Sequence, residues 1–270
     1  IAIIAVLFNH INPYFYPSGY LGVDVFFTLS GFVISYSISN KEFKSKIEFV
    51  REFYARRFKR IAPSLIVYII SISFLVSLFI HSGGTYFLTA ISSLFGLSNL
   101  FLLKINSGYW GNDSLMNPFT NTWSLSLEEQ FYLFFPFLIS IIISRKDKAI
   151  VFKTYIITFT TFLSLILYLL FYRSYGEISY YFTLTRIWQI SLGILSFLFY
   201  RNLYIKNKKR GRLEIPISLV SIISLLSLFF LPKDYSYLGH LLASFFTFIL
   251  IISLNKESYL KNLMSNKFLK

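Results

Sequence analysis

The sequence predicts an all-α fold: a polytopic integral membrane helix bundle of about eight or nine membrane segments, forming one domain over residues 1–270. Three observations predict it. Of the 270 residues, 55% are hydrophobic and 20% aromatic, while 14% are charged; an ordinary soluble domain carries about 25% charged residues. Apolar runs of roughly 17–25 residues recur along the chain, each long enough to cross a hydrocarbon core of about 30 Å. Finally, 22 of the 26 Lys and Arg residues fall in four blocks, at 39–60, 145–153, 201–213 and 255–270. A β-barrel would instead need alternating segments of about ten residues, and the sequence does not alternate in that way.

The first apolar run, 1–10, ends at His10, and Asn12-Pro13 stops it as a helix. The second, 19–37, carries Asp24 about one turn in. The basic stretch 39–60 follows, and after it come runs at about 61–80, 86–103 and 122–144. The positive-inside rule places all four basic blocks in the cytoplasm, so an even number of crossings must separate Arg60 from Arg145. One of those three runs therefore does not span. The run 86–103 is the candidate, because Gly83 and Gly84 precede it and Gly96, Ser98 and Asn99 interrupt it. Such a re-entrant segment is tolerated where protein or a water-filled cavity covers its backbone. The remaining spans are expected at about 154–172, 180–200, 214–231 and 238–254. On this map the helices carrying Asp24, Glu128 and Arg186 all start outside, while Arg56, Arg57 and Arg60 lie at the inner face.

Composition excludes several kinds of chemistry. The chain has no cysteine, so it has no disulfide, thiol nucleophile or thiolate metal site. The three histidines show no HxxH, HxxxH or HExxH spacing, and no metal site is expected. The net charge of +14 sits in juxtamembrane blocks and reads as topology and contact with the lipid bilayer, with no nucleic acid partner. The chain opens in mid-helix without Met and without a cleavable signal, and both ends read as truncated.

Ionisable residues inside such runs are functional candidates, because an acid within a bilayer helix costs about 2.5–3.5 kcal/mol even on the lenient insertion scale. His10 is either a solvated helix-end residue or a general base, since imidazole titrates near neutrality. Asp24 is either a first-turn acid favoured by the helix dipole or a carboxylate that stabilises an imidazolium. Glu128 and Glu129 lie about six residues into their helix, with Thr122 as a candidate N-cap. Adjacent residues point about 100° apart, so at most one of the two acids is expected to face a cavity squarely. Arg56, Arg57 and Arg60 read either as a topology signal or as a phosphate clamp, Arg57 and Arg60 sharing a helix face. His81 and His240 are expected to be ordinary helix-end histidines.

Five segments in order resemble the membrane acyltransferase 3 family, the O-acetylases of bacterial surface polysaccharides. They are Ala5-Val6-Leu7-Phe8-Asn9-His10, GVDVFFTLSGF (22–32), FYARRFKRIAP (53–63), SGYWGNDSLMNPFTNTWSLSLEEQFYLFFP (107–136) and TRIWQISLGIL (185–195). The form NPFTNTWSLSLEEQFY is most similar to the branch that acetylates O-antigen, whose members often carry a C-terminal SGNH-type domain. Asn121 and Gln189 depart from the branch, which often has His and Glu there. The family's arginine, about eleven residues before the first-helix histidine, falls ahead of Ile1.

The resemblance implies a multi-pass protein of the bacterial inner membrane that takes acetyl-CoA as cytoplasmic donor, with no metal, and acetylates an extracytoplasmic glycan such as O-antigen or peptidoglycan. It implies Arg56, Arg57 and Arg60 as holders of the CoA phosphates and His10 as the group that deprotonates a sugar hydroxyl, directly or through an acetyl-enzyme. Asp24 or Glu128 would stabilise the charged imidazole, Glu129 is a further candidate catalytic residue, and Arg186 would position the acceptor or the developing oxyanion. A flippase for polysaccharide or lipid-linked sugar is the alternative from another class; it needs a polar cavity but not these ordered motifs. A purely structural membrane subunit leaves the buried acids unexplained.

Overall fold

Every regular element among the described residues is helical. The computed structural model describes residues 1–39, 41, 43–80, 84–105, 116–140, 147–206 and 214–253. His81, Gly83, most of the expected outer loop at 104–120 and much of the three later basic blocks lie outside these residues. The helices are α1 (Ala2–Ile11), α2 (Gly22–Ser39), α3 (Lys46–Phe79), α4 (Gly84–Leu94), α5 (Ser98–Lys104) and α6 (Thr122–Ser140). After them come α7 (Asp147–Ser174), α8 (Gly176–Tyr181), α9 (Thr183–Lys206), α10 (Glu214–Leu228) and α11 (Ser236–Ser253), with 3-10 turns at Gly19–Leu21 and Lys233–Tyr235. Four described stretches are long and apolar enough to cross a membrane: Gly19–Ser39, Lys46–Phe79, Thr154–Ser174 and Lys233–Ser253.

Three elements differ from the sequence reading. The basic stretch and the run after it form one 34-residue helix, α3, which continues through Pro63. Its start is capped locally: Ser45 Oγ accepts the Glu48 N–H at 3.1 Å, and the Glu48 carboxylate accepts the Lys44 N–H at 2.8 Å. A helix of that length spans about 51 Å, so its apolar half alone covers the hydrocarbon core and the basic half projects beyond it. The run 86–103 is two helices, broken where Gly96 takes φ +65°, a left-handed conformation that glycine adopts without a Cβ clash. The expected helix 180–200 is broken as well, at Phe182, which is extended.

The described chain divides into two units. Unit 1 comprises residues 1–40, 154–162 and 188–270, and unit 2 comprises 41–153 and 163–187, so α7 and α9 contribute to both. In unit 1, α11 packs on α10 and α2, and α1 packs on the 19–21 turn and α2. Its core gathers Ala2, Ala5, Tyr20, Leu21, Val25, Leu225, Leu228, Phe229 and Ala243. In unit 2, α5 packs on α6, α4 and α8, and a core of Leu65, Ile69, Val76, Ala90 and Phe119 joins α3 and α4.

The two faces of α3 show how the membrane is used. Leu65, Ile69 and Val76 are buried, while Val67, Ile70 and Phe74 are 64%, 64% and 62% exposed. An apolar stripe this open is a liability in water but the ordinary surface of a lipid-facing helix.

Candidate functional site

A stripe of small and polar residues builds the site in unit 1. Asp24, Thr28, Gly31 and Ser35 recur every three or four residues on the buried face of α2. A Cβ on Gly31 would collide with the backbone oxygen of Ile190, and one on Gly193 with that of Thr28. These two glycines let α2 and α9 approach backbone to backbone. The contacts advance together along both helices, so α2 and α9 run in the same direction, the one the charge map assigns to two helices that start outside. One turn before Thr28 and Gly193 stand Asp24 and Gln189.

Asp24 is 1% exposed and His240, on α11, is 3% exposed. Gln189 Nε2 donates to Asp24 Oδ1, and His240 Nδ1 lies 2.8 Å from Asp24 Oδ2. The Tyr20 ring stands 5.6 Å from the imidazole, tilted by 54°. Asp24 lies in the first turn of α2, where the helix dipole adds to the attraction for its negative charge. A buried carboxylate is stable only when it is paired or hydrogen-bonded, and this one is both.

His240, expected to be an ordinary helix-end residue, is thus part of the buried polar centre of unit 1. The sequence carried a signal for it. Residues 236–253 contain no Asp, Glu, Lys or Arg, and His240 shares its buried face with Gly239, Ala243, Ser244 and Thr247. An ionisable group on the small-residue face of a membrane helix points inward. His10 ends α1 and is exposed; its neighbour Asn9 is buried and donates from Nδ2 to the Tyr16 carbonyl at 2.6 Å, pinning the turn that follows α1.

Unit 2 gathers the other candidates. Arg186 is 1% exposed, with its guanidinium 4.7 Å from the Tyr180 ring centroid, 5.7 Å from that of Tyr168 and 6.0 Å from that of Trp123. Its Nε donates to the Tyr180 carbonyl at 3.2 Å. Desolvated cation–π contacts stabilise by about 2 kcal/mol or more, so this aromatic cage is a strong holder for a buried cation.

Glu128 and Arg57 meet around a tyrosine. Tyr132 Oη donates to Glu128 Oε2 at 3.0 Å, and the Arg57 guanidinium lies 5.2 Å from the Tyr132 ring centroid and 5.6 Å from that of Phe53. Arg57 and Glu128 also attract each other electrostatically. Glu129 goes elsewhere, as the 100° step between neighbours requires: a Cβ at Gly96 would lie 2.7 Å from its Oε2. The three arginines of the expected clamp are unlike one another. Arg57 is partly buried, Arg60 is exposed, and Arg56 pairs with Glu52 at 2.5 Å in an i,i+4 bridge.

A ladder of side chains around the Gly96 break was not foreseen. Thr122, a candidate N-cap, is buried; its Oγ1 hydrogen-bonds Ser93 Oγ at 2.6 Å and donates to Ser98 Oγ at 3.0 Å, and Ser98 reaches Ser126 at 2.7 Å. Gln130 Nε2 donates to the Gly96 carbonyl at 2.7 Å and to Asn99 Oδ1 at 2.8 Å, and its Oε1 accepts from Thr183 Oγ1. These groups satisfy the backbone where the helix breaks, the condition for irregular chain at membrane depth. Among the described residues no group of three or more His, Cys, Asp and Glu could hold a metal ion.

The profile of an acyltransferase domain, Acyl_transf_3, matches residues 1–265. The chain belongs to this acyltransferase 3 family. Within it, the chain is similar to the O-acetyltransferase OatA of Staphylococcus aureus (strain NCTC 8325 / PS 47), with 27% identity over 279 residues covering 98% of this chain and 45% of that protein. It is also similar to the peptidoglycan O-acetyltransferase OatA of Listeria monocytogenes, 36% identical over 138 residues, or 50% of this chain and 22% of that protein. The chain thus spans about half the length of the S. aureus relative. No solved structure matches it. As a member of this family with helices able to cross a bilayer, the acyltransferase domain is a multi-pass membrane protein.

Proposed function

We propose that this acyltransferase domain transfers an acetyl group from cytoplasmic acetyl-CoA to a hydroxyl of a glycan outside the bacterial inner membrane. Peptidoglycan is the acceptor class that the Listeria relative's name supports, and O-antigen is the class to which the sequence motifs lean. The observation that carries the reading is the buried Asp24–His240 pair in a chain of this family. A carboxylate–imidazole pair in a dry site suits proton removal from a hydroxyl, the step that acyl transfer to a sugar requires.

In this reading Arg57, aided by Arg56 and Arg60, holds the CoA phosphates by charge-assisted hydrogen bonds. His10 serves the transfer as proton acceptor or as carrier of the acetyl group. Glu128 and Glu129 supply negative charge, Glu128 by way of Tyr132 and Arg57. Arg186 positions the acceptor or stabilises the developing oxyanion. The chain crosses the membrane eight times. Helices α4 and α5, about 16 and 10 Å long, together form a re-entrant ninth segment broken at Gly96.

Membranes carrying the protein, given acetyl-CoA and an acceptor glycan, should consume the thioester and leave acetate ester on the glycan. His10→Ala, at matched protein level, should abolish both. A flippase would consume no thioester, and that result would overturn the reading.

A further inference from the structure

Two helix breaks in unit 2 are tied to each other by a pair of amides. One break lies at Gly96, between α4 and α5, and the other at Phe182, between α8 and α9. Gln130 of α6 donates from Nε2 to the Gly96 carbonyl at 2.7 Å and to Asn99 Oδ1 at 2.8 Å. Asn99 of α5, which is buried, donates from Nδ2 to the Tyr181 carbonyl at 2.9 Å. Thr183 Oγ1, at the start of α9, donates to Gln130 Oε1. A backbone carbonyl accepts only from an N–H or O–H, so the carbonyls at the two breaks fix both amides in orientation.

Arg186 stands beside the second break. The six residues of α8 are too few to hold a helix unaided, so its last turn depends on the side chains that grip it. Asn99 takes the Tyr181 carbonyl, and the Trp123 ring lies 4.5 Å from that of Tyr180 and 5.6 Å from that of Tyr181. Trp123 and Gln130 are seven residues apart on α6 and share a face of it. The rings around Arg186 attract its charge over a broad range of directions. The bond from its Nε to the Tyr180 carbonyl, at 3.2 Å, is directional.

We propose that Asn99 and Gln130 are positioning residues for Arg186. The amide pair sets where the last turn of α8 stands, and the Tyr180 carbonyl in turn sets where the guanidinium points. The proposal rests on the acetyl-transfer reading above, in which Arg186 serves the acceptor or the developing oxyanion. It makes the re-entrant segment part of the acceptor side of the reaction, although neither amide touches Arg186.

A double-mutant cycle of Asn99→Ala with Arg186→Gln separates positioning from packing. In membranes carrying Asn99→Ala, kcat/KM for glycan acetylation should fall by about 10-fold, because small misplacements of a group at the reacting centre are costly. The acetyl-CoA KM should stay at its wild-type value. In the Arg186→Gln background the same change should alter kcat/KM by less than about 2-fold, since the group it positions is gone. Losses that multiply in the double variant, or a raised acetyl-CoA KM, would overturn the assignment and leave the amides a packing device. Should Asn99→Ala fail to insert, Gln130→Met, which keeps the length and loses both donors, is read by the same cycle. Failure of both to insert would assign the amides to folding and overturn the proposal. If the wild-type membranes themselves consume no thioester, the acetyl-transfer reading has failed and this proposal with it; multiplying losses in active membranes sink the positioning role alone.

Discussion

Asp24 in unit 1 and Arg186 in unit 2 are equally buried, each 1% exposed, yet they are held by opposite means. Directional hydrogen bonds from Gln189 and His240 hold the acid. The faces of Tyr180, Tyr168 and Trp123 surround the cation. Hydrogen bonds fix where each lone pair points, whereas a ring quadrupole attracts a cation over a broad cone. Unit 1 is therefore built for proton position and unit 2 for charge position.

The largest expected effect breaks the acid side. Asp24→Asn keeps the shape but can satisfy only one of two donors with its single oxygen. The other donor then meets an amide N–H. Transfer, measured as acetate ester per protein, should drop by about 10²–10⁴-fold with donor KM unchanged. If Asp24→Asn were near wild type, the directional half of the comparison would collapse.

Arg186 comes next. Arg186→Lys keeps charge but loses the planar stack, and should raise the acceptor KM by about 10-fold. Arg186→Gln removes both and should lower kcat/KM by about 100-fold, in line with losing roughly 1.4–2.8 kcal/mol. Equal losses in the two variants would mean that the cage positions the guanidinium fork rather than a charge.

A smaller effect sharpens the picture on the donor side. Arg57→Ala should raise the acetyl-CoA KM by about 10-fold, since a charge-assisted hydrogen bond contributes about 1.5–3 kcal/mol. Arg60→Ala should raise it less, because Arg60 is exposed and Arg57 sits between Phe53 and Tyr132. Equal sensitivity would reduce both to a topology signal. The smallest effect tests the frame around the re-entrant break. Ser98→Ala removes hydroxyl contacts to Thr122 and Ser126, and should destabilise the protein by about 0.6 kcal/mol, read as a small fall in melting temperature.

Much of this molecule was legible in its sequence. The helical class, the inward pull on Asp24 and the interruption at Gly96 follow from hydropathy, charge and glycine chemistry acting within a turn or two. The continuity of α3 through Pro63 was not legible, because proline inside a membrane helix is tolerated when neighbouring groups satisfy the freed carbonyl. Neither was the split between Glu128, which binds Tyr132, and Glu129, which lies over Gly96; helical spacing says that the two diverge but not toward what.

By itself the sequence determined that ionisable groups are enclosed among apolar helices, because the free energy of placing a charge in lipid depends on the residue and its span. Only the tertiary structure decided the partners. Asp24 meets His240 across 216 positions of chain because Gly31 and Gly193 set how closely α2 and α9 pack, and because α11 lays its small-residue face against α2. A contact of that separation leaves no periodicity in the sequence: it is a property of three helix surfaces fitted together, and none of them encodes it alone.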